Sequence, residues 1–160
     1  MSDKMIDGFE PVFDKNSKVL ILGSFPSVKS RQDGFYYGNK RNRFWQVISE
    51  FFCEPLPTTT EQKIAMLNAH NIALWDIVEK TDIKGSADSD IKNFKVADLK
   101  KVLDFCQISF IICNGKKSWQ IFSANYDLPQ RVFVLPSTSP ANVSFKKKEW
   151  VLAFKEIYND

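Results

Sequence analysis

The chain has 160 residues, 44% hydrophobic and 14% aromatic, enough apolar content to fill one core and too little chain for several. Its 22 Lys and Arg against 19 Asp and Glu leave a net charge of +3, which permits a nucleic-acid partner without demanding one, so the distribution of charge has to decide. Three cysteines, Cys53, Cys106 and Cys113, show no CxxC spacing, and no run approaches the roughly 20 apolar residues of a membrane helix. The expectation is therefore a soluble, cytoplasmic monomer with one domain over residues 1–160 and with no disulfide scaffold, zinc site or membrane partner.

Four apolar runs read as buried strands: "KVLILGS" at 18–24, "IALWDIV" at 72–78, "ISFIICN" at 108–114 and "RVFVLPS" at 131–137. Their near-continuous apolarity implies a sheet covered on both faces. Helical spacing appears between and after them, first at Phe44, Trp45, Ile48, Phe51 and Phe52, then in "EQKIAMLNAH", "VADLKKVLDFC", "KKSWQIFSANY" and "KEWVLAFKEIY". Asn42 and Thr60 are the candidate caps of the first two helices. Strands alternating with helices predict an α/β fold, a three-layer α/β/α arrangement around a four-stranded parallel sheet with right-handed crossovers.

Ligands of such sheets gather outside the carboxyl ends of the strands. Those ends read "GSFPS" (23–27), "CNGKK" (113–117) and "LPSTSPAN" (135–142), while the second runs into "EKTDIKGSADSDI" (79–91), a loop rich in carboxylates. Ser24 and Ser27, beside Gly23 and Pro26, suit an anion, or merely a turn. Ser137, Thr138 and Ser139 between two prolines form a platform for phosphate oxygens, or a stiff turn. Asn114 has an amide able to read a base edge, or to shape the turn with Gly115.

The segment "FYYGNKRNRFW" at 35–45 combines five aromatics with three cations, faces for stacking bases beside charges for phosphates. Phe44 and Trp45 also suit the core face of the following helix, and Asn39 suits a turn. Five basic residues between Lys29 and Arg43 against one acidic, and "KKK" at 146–148, concentrate positive charge near the strand ends, although such a run also suits a solvated helix face. The single histidine, His70, reads as structural at a helix end, which removes a Ser-His-Asp triad. Neither GxxxxGK[ST] nor GxGxxG occurs, so no nucleotide cofactor is implied. Asp88 and Asp90 read as turn and capping residues rather than metal ligands.

"LILGSFPS", "GFYYGNKRNRFW", "LWDIVEKTDIKGSADSDI", "CNGKKSWQIF" and "LPSTSPAN", in this order over about residues 9–155, together resemble the hypoxanthine-DNA (deoxyinosine) glycosylase branch of the uracil-DNA glycosylase superfamily. The last two segments are also similar to those of mismatch-specific thymine/uracil glycosylases. The resemblance implies a uracil-DNA glycosylase-like fold, no cofactor, no metal, and double-stranded DNA containing a deaminated base as the partner. Most of the superfamily carries a catalytic Asp or Asn where this chain has Phe25; in the resembled branch that asparagine lies in the "YYGN" segment, here Asn39. The histidine that the uracil-specific branch carries in its last motif is replaced here by the run Ser137, Thr138 and Ser139.

The expected roles follow. A base buried in a duplex has to be extruded before it is cleaved. Phe25 and Tyr36 would wall its pocket, Asn114 would read its edge, and Asn39 would position water. Ser27, Arg41, Arg43, Ser137, Thr138 and Ser139 would hold the DNA backbone, Pro140 to Asn142 would enter the vacated stack, and Lys146 and Lys147 would add non-specific affinity. The competing expectations are a uracil or mismatch specificity, a non-catalytic DNA-binding module, and a small-molecule or phosphate binder.

Overall fold

The computed structural model describes residues 5–82 and 93–159; Asp88 and Asp90 lie outside them. The chain runs β1 (Ile6–Asp7), β2 (Val19–Gly23), α1 (Val28–Asp33), α2 (Phe44–Phe51), α3 (Thr60–Ala69), β3 (Ile72–Asp76), β4 (Val78–Thr81), β5 (Phe94–Val96), α4 (Lys100–Leu103), β6 (Phe110–Asn114), α5 (Lys116–Asn125), β7 (Arg131–Leu135) and α6 (Lys148–Ile157).

The four expected strands pair in parallel in the order β3-β2-β6-β7. Every residue of β2 is buried, because this central strand is covered on both faces, and that is why its sequence is uniformly apolar rather than alternating. β3 ends the sheet yet is also fully buried. Val12 crosses its outer edge as an antiparallel bridge to Leu74, with N–H···O distances of 2.9 and 2.8 Å in the two directions. The opposite edge strand, β7, is only partly covered. Helix α3 packs on β3, α5 on β6 and β7, and α6 on β7 and α2. Trp75, Trp150, Tyr36, Phe44 and Phe154 are the largest fully buried side chains.

Two local expectations change. The second strand stops at Asp76, and Val78–Thr81 turns into a separate three-stranded sheet, β1-β4-β5. One apolar run thus serves two sheets, and its composition does not betray the break at Asp76. The cap of α3 is Thr59 rather than Thr60: its hydroxyl accepts from Gln62 N–H at 3.1 Å, and the Gln62 side chain returns to the Thr59 N–H, closing a capping box. Asn42 does take an N–H at the start of α2, accepting from Phe44 at 2.9 Å. His70 closes α3 with its ring stacked on Phe52 at 3.6 Å and paired with Glu54 at 2.5 Å.

Candidate active site

The carboxyl ends of β2, β3 and β6 and the loop after β7 surround a cavity of about 490 Å³, with the segment 36–42 closing one side. A larger but shallower hollow of about 810 Å³ lies over α6, lined by Phe51, Phe133, Leu152 and Tyr158 among others. It gathers no set of groups suited to chemistry, so the smaller cavity is the candidate site.

Its floor depends on Gly23, the last residue of β2. A Cβ there would sit 2.4 Å from Asp76 Oδ1 and 2.8 Å from the Tyr37 hydroxyl, so both polar groups fold over the strand end only because position 23 has no side chain. Asp76, in register with Gly23 at the end of β3, lines the cavity and is only 4% exposed. This carboxylate is absent from the roles expected above; the available signal was a lone charge inside the apolar run "LWDIV", three residues before the polar stretch begins at Glu79.

Beyond Gly23 the chain passes Phe25, which is half-buried with its ring on the cavity and the Arg31 guanidinium 5.6 Å from the ring centroid. Ser27 caps α1, accepting from Ser30 N–H at 3.1 Å, while Ser30 Oγ accepts from Gly38 N–H at 2.9 Å. A short helix missed by periodicity thus clamps the YYGN turn. Gly38 is required by closeness, since a Cβ would meet Asp33 at 3.0 Å.

The two tyrosines differ in role. Tyr36 is buried, and its hydroxyl donates to Glu10 O at 2.7 Å. Burial, reinforced by the nearby Asp76 charge, holds this phenol far above its ordinary range. It supports the wall from the core side more than it presents a face. Tyr37 has a left-handed backbone, φ 53°, uncommon for a bulky residue and costing on the order of 1–3 kcal/mol. Its ring stacks on Phe44 at 4.2 Å and its hydroxyl accepts from Asn114 Nδ2 at 3.2 Å, which together hold the strained turn. Two residues on, Asn39 is half-buried on the cavity wall, with Oδ1 accepting from Arg41 N–H at 2.9 Å. That bond fixes the amide's orientation and leaves a second lone pair on Oδ1 and the Nδ2 protons for a ligand.

Asn114 is committed inside the protein. Its Oδ1 accepts from Thr138 N–H at 3.0 Å, and its Nδ2 donates to Thr138 Oγ1 at 3.0 Å as well as to Tyr37. Thr138, with no exposed surface, therefore ties the loop after β7 to β6 instead of facing phosphates. Arg43 likewise turns inward, donating to Ser139 O at 3.4 Å and Asn142 O at 3.1 Å with its guanidinium 4.7 Å from the Phe145 ring centroid. Lys147 pairs with Glu50 at 2.8 Å. Arg41 and Lys146 are exposed and, among the described residues, join no ion pair. Ser137, Ser139 and Asn142 brace the rim through successive turns: Ser137 Oγ accepts from Ser139 N–H, Ser139 Oγ from Ala141 N–H, and Asn142 Nδ2 donates to Ser137 O. Ser27, Pro140 and Asn142 complete the cavity mouth. Among the described residues no three His, Cys, Asp or Glu side chains converge to hold a metal, and no helix is long and apolar enough to cross a membrane.

Comparisons with known proteins agree with this geometry. The family model described as Uracil DNA glycosylase superfamily matches residues 10–160. The chain is 34% identical to a protein from Methanosarcina acetivorans named Hypoxanthine DNA glycosylase, over 92% of this chain and 97% of that one. It is 31% identical, over the same shares, to a protein of that name from Methanosarcina barkeri. A solution NMR structure from M. acetivorans, determined as a candidate uracil DNA glycosylase, superimposes with a TM-score of 0.81 at 32% identity, covering 96% of this chain and 99% of that one. A parallel four-stranded sheet, a polar cavity across its strand ends and matches spanning nearly the whole length place the chain in the uracil DNA glycosylase superfamily.

Proposed function

We propose that this protein is a monofunctional DNA glycosylase that extrudes a deaminated base, hypoxanthine foremost, from double-stranded DNA and hydrolyses its N-glycosidic bond. The observation that carries the reading is the half-buried Asn39 on the wall of a cavity whose floor is polar and whose first strand end bears Phe25; the two relatives named for hypoxanthine excision supply the substrate.

Chemistry at this bond needs little from a protein base. As the C1′–N bond breaks, its electrons leave with the base and positive charge grows on the sugar; water adds at C1′ and its surplus proton passes to solvent or to the departing base. A neutral amide is sufficient to align that water, because orientation alone supplies a large part of such a barrier. Asn39 Oδ1 accepts a hydrogen bond from that water, while Phe25 stacks on the extruded base.

The exposed cations Arg41 and Lys146 meet phosphates, and Ser27, Ser137 and Ser139 line the path of the strand. Val143, an apolar side chain 91% exposed next to the Pro140–Asn142 rim, joins that rim in filling the space the base vacates, offsetting an unstacking cost of a few kcal/mol. The protein acts as a cytoplasmic monomer in this reading.

The test is incubation with duplexes carrying single hypoxanthine, xanthine, uracil or mismatched thymine, followed by alkaline cleavage of abasic sites. Breaks at hypoxanthine are expected, with Asn39→Ala slower by roughly 100-fold or more at unchanged stability. Salt-sensitive binding without any breaks would replace this reading with that of a DNA-binding module.

A further inference from the structure

The sequence points to Asn114 as the reader of the base edge, but here Thr138 and Tyr37 take both of its N–H protons and one of the two lone pairs of its oxygen, so it has no donor left for a base. Among the described residues that line the cavity the one charged group is the Asp76 carboxylate, and it is buried. It lies over Gly23 beside the Tyr37 hydroxyl, with Oδ1 2.4 Å and the phenol oxygen 2.8 Å from the point a Cβ would occupy. Because the Tyr37 oxygen already accepts from Asn114, its own proton is directed to an acceptor, and Asp76 is the acceptor group alongside it. A carboxylate offers about four lone-pair sites, more than a single phenol proton fills, and Asp76 lines the cavity.

Deamination changes one ring nitrogen in a way that such a group detects. Adenine N1 is an acceptor and cytosine N3 is an acceptor; in hypoxanthine and uracil the corresponding nitrogen carries hydrogen. Resting on the glycosylase reading above, we propose that Asp76 is the specificity-determining residue of this site, accepting the ring N–H that deamination installs. An acceptor-only group attracts that donor and repels the lone pair of the undamaged base, so attraction and rejection come from the same two oxygens. Asn114 is then a positioning residue, holding Tyr37 and, through it, the carboxylate.

The test crosses enzyme with substrate. Single-turnover release is measured from duplexes carrying hypoxanthine or unsubstituted purine, the base of 2′-deoxynebularine, whose N1 bears a lone pair, with the native protein and with Asp76→Asn. The native enzyme is expected to prefer hypoxanthine, and Asp76→Asn, whose amide can donate to that lone pair, to reduce the preference by about 10- to 100-fold. The missing O6 of purine affects both proteins alike and cancels in the ratio of preferences. Equal release of both bases by the native enzyme would overturn the proposal, whether or not the variant folds. So would a preference unchanged within about threefold in a folded Asp76→Asn. Release of neither base by the native protein would instead remove the glycosylase reading, and this inference with it.

Discussion

Gly23→Ala is the sharpest perturbation of the site. The added Cβ would sit 2.4 Å from Asp76 Oδ1 and 2.8 Å from the Tyr37 hydroxyl, whereas ordinary van der Waals contact begins near 3.4 Å. The carboxylate must therefore retreat by about 1 Å and the phenol by somewhat less. Both contacts are with side-chain ends rather than backbone, so the global cost is that of modest overpacking, about 1–3 kcal/mol. The functional cost is larger, because Tyr37 fixes the turn that carries Asn39, and a displacement near 1 Å in a positioned group lowers rate by about 100-fold. Urea denaturation followed by circular dichroism reads the first effect, and single-turnover excision from a hypoxanthine duplex reads the second. A Gly23→Ala protein that excises at the native rate would refute the claim that the strand end is bare to admit these two groups.

Arg41→Ala and Arg43→Ala should separate two uses of arginine. Loss of exposed Arg41 weakens DNA binding and lowers the slope of log affinity against log salt by about one. Loss of Arg43, whose guanidinium binds the carbonyls of Ser139 and Asn142, frees the rim and lowers the excision rate and melting temperature together. Tyr36→Phe removes the 2.7 Å bond to Glu10 O and should cost about 1 kcal/mol in urea denaturation, the net worth of one hydrogen bond. Alkaline pH should destabilise the fold. Burial pushes the Cys113 thiol up to about 11 from 9.0, partly opposed by its Ser118 contact. Below pH 9 folded and unfolded chains both keep this proton; above it only the unfolded chain readily loses it. Stability therefore falls as pH rises toward 11, by up to about 3 kcal/mol from this group, and burial of Tyr36 and Tyr158 adds to the fall above pH 10. Denaturation midpoints from pH 7 to 11 check the direction, and Cys113→Ala should flatten the part between pH 9 and 11.

The residue sequence alone determined the parallel sheet, because strands such as "VLILG" and "FIICN" can be uniformly apolar only when both faces are covered. It also located the face that holds the cavity, since Gly, Ser, Pro and Asn collect where the strands end. The small sheet β1-β4-β5 was not legible: strands of two to four residues are shorter than any period that separates them from loops. Tertiary structure alone decided which polar groups serve the cavity and which serve the fold. Arg41 and Arg43 are equal as letters, yet one faces solvent while the other is spent on backbone carbonyls. Asn114 and Asp76 each end a strand and line the cavity, but both protons of the amide go to Thr138 and Tyr37, whereas the carboxylate brings the cavity its charge. The reason is physical: hydrophobic periodicity is local and readable along the chain, whereas the partner that satisfies a polar atom is chosen by close approach between segments as distant as Asn114 and Tyr37.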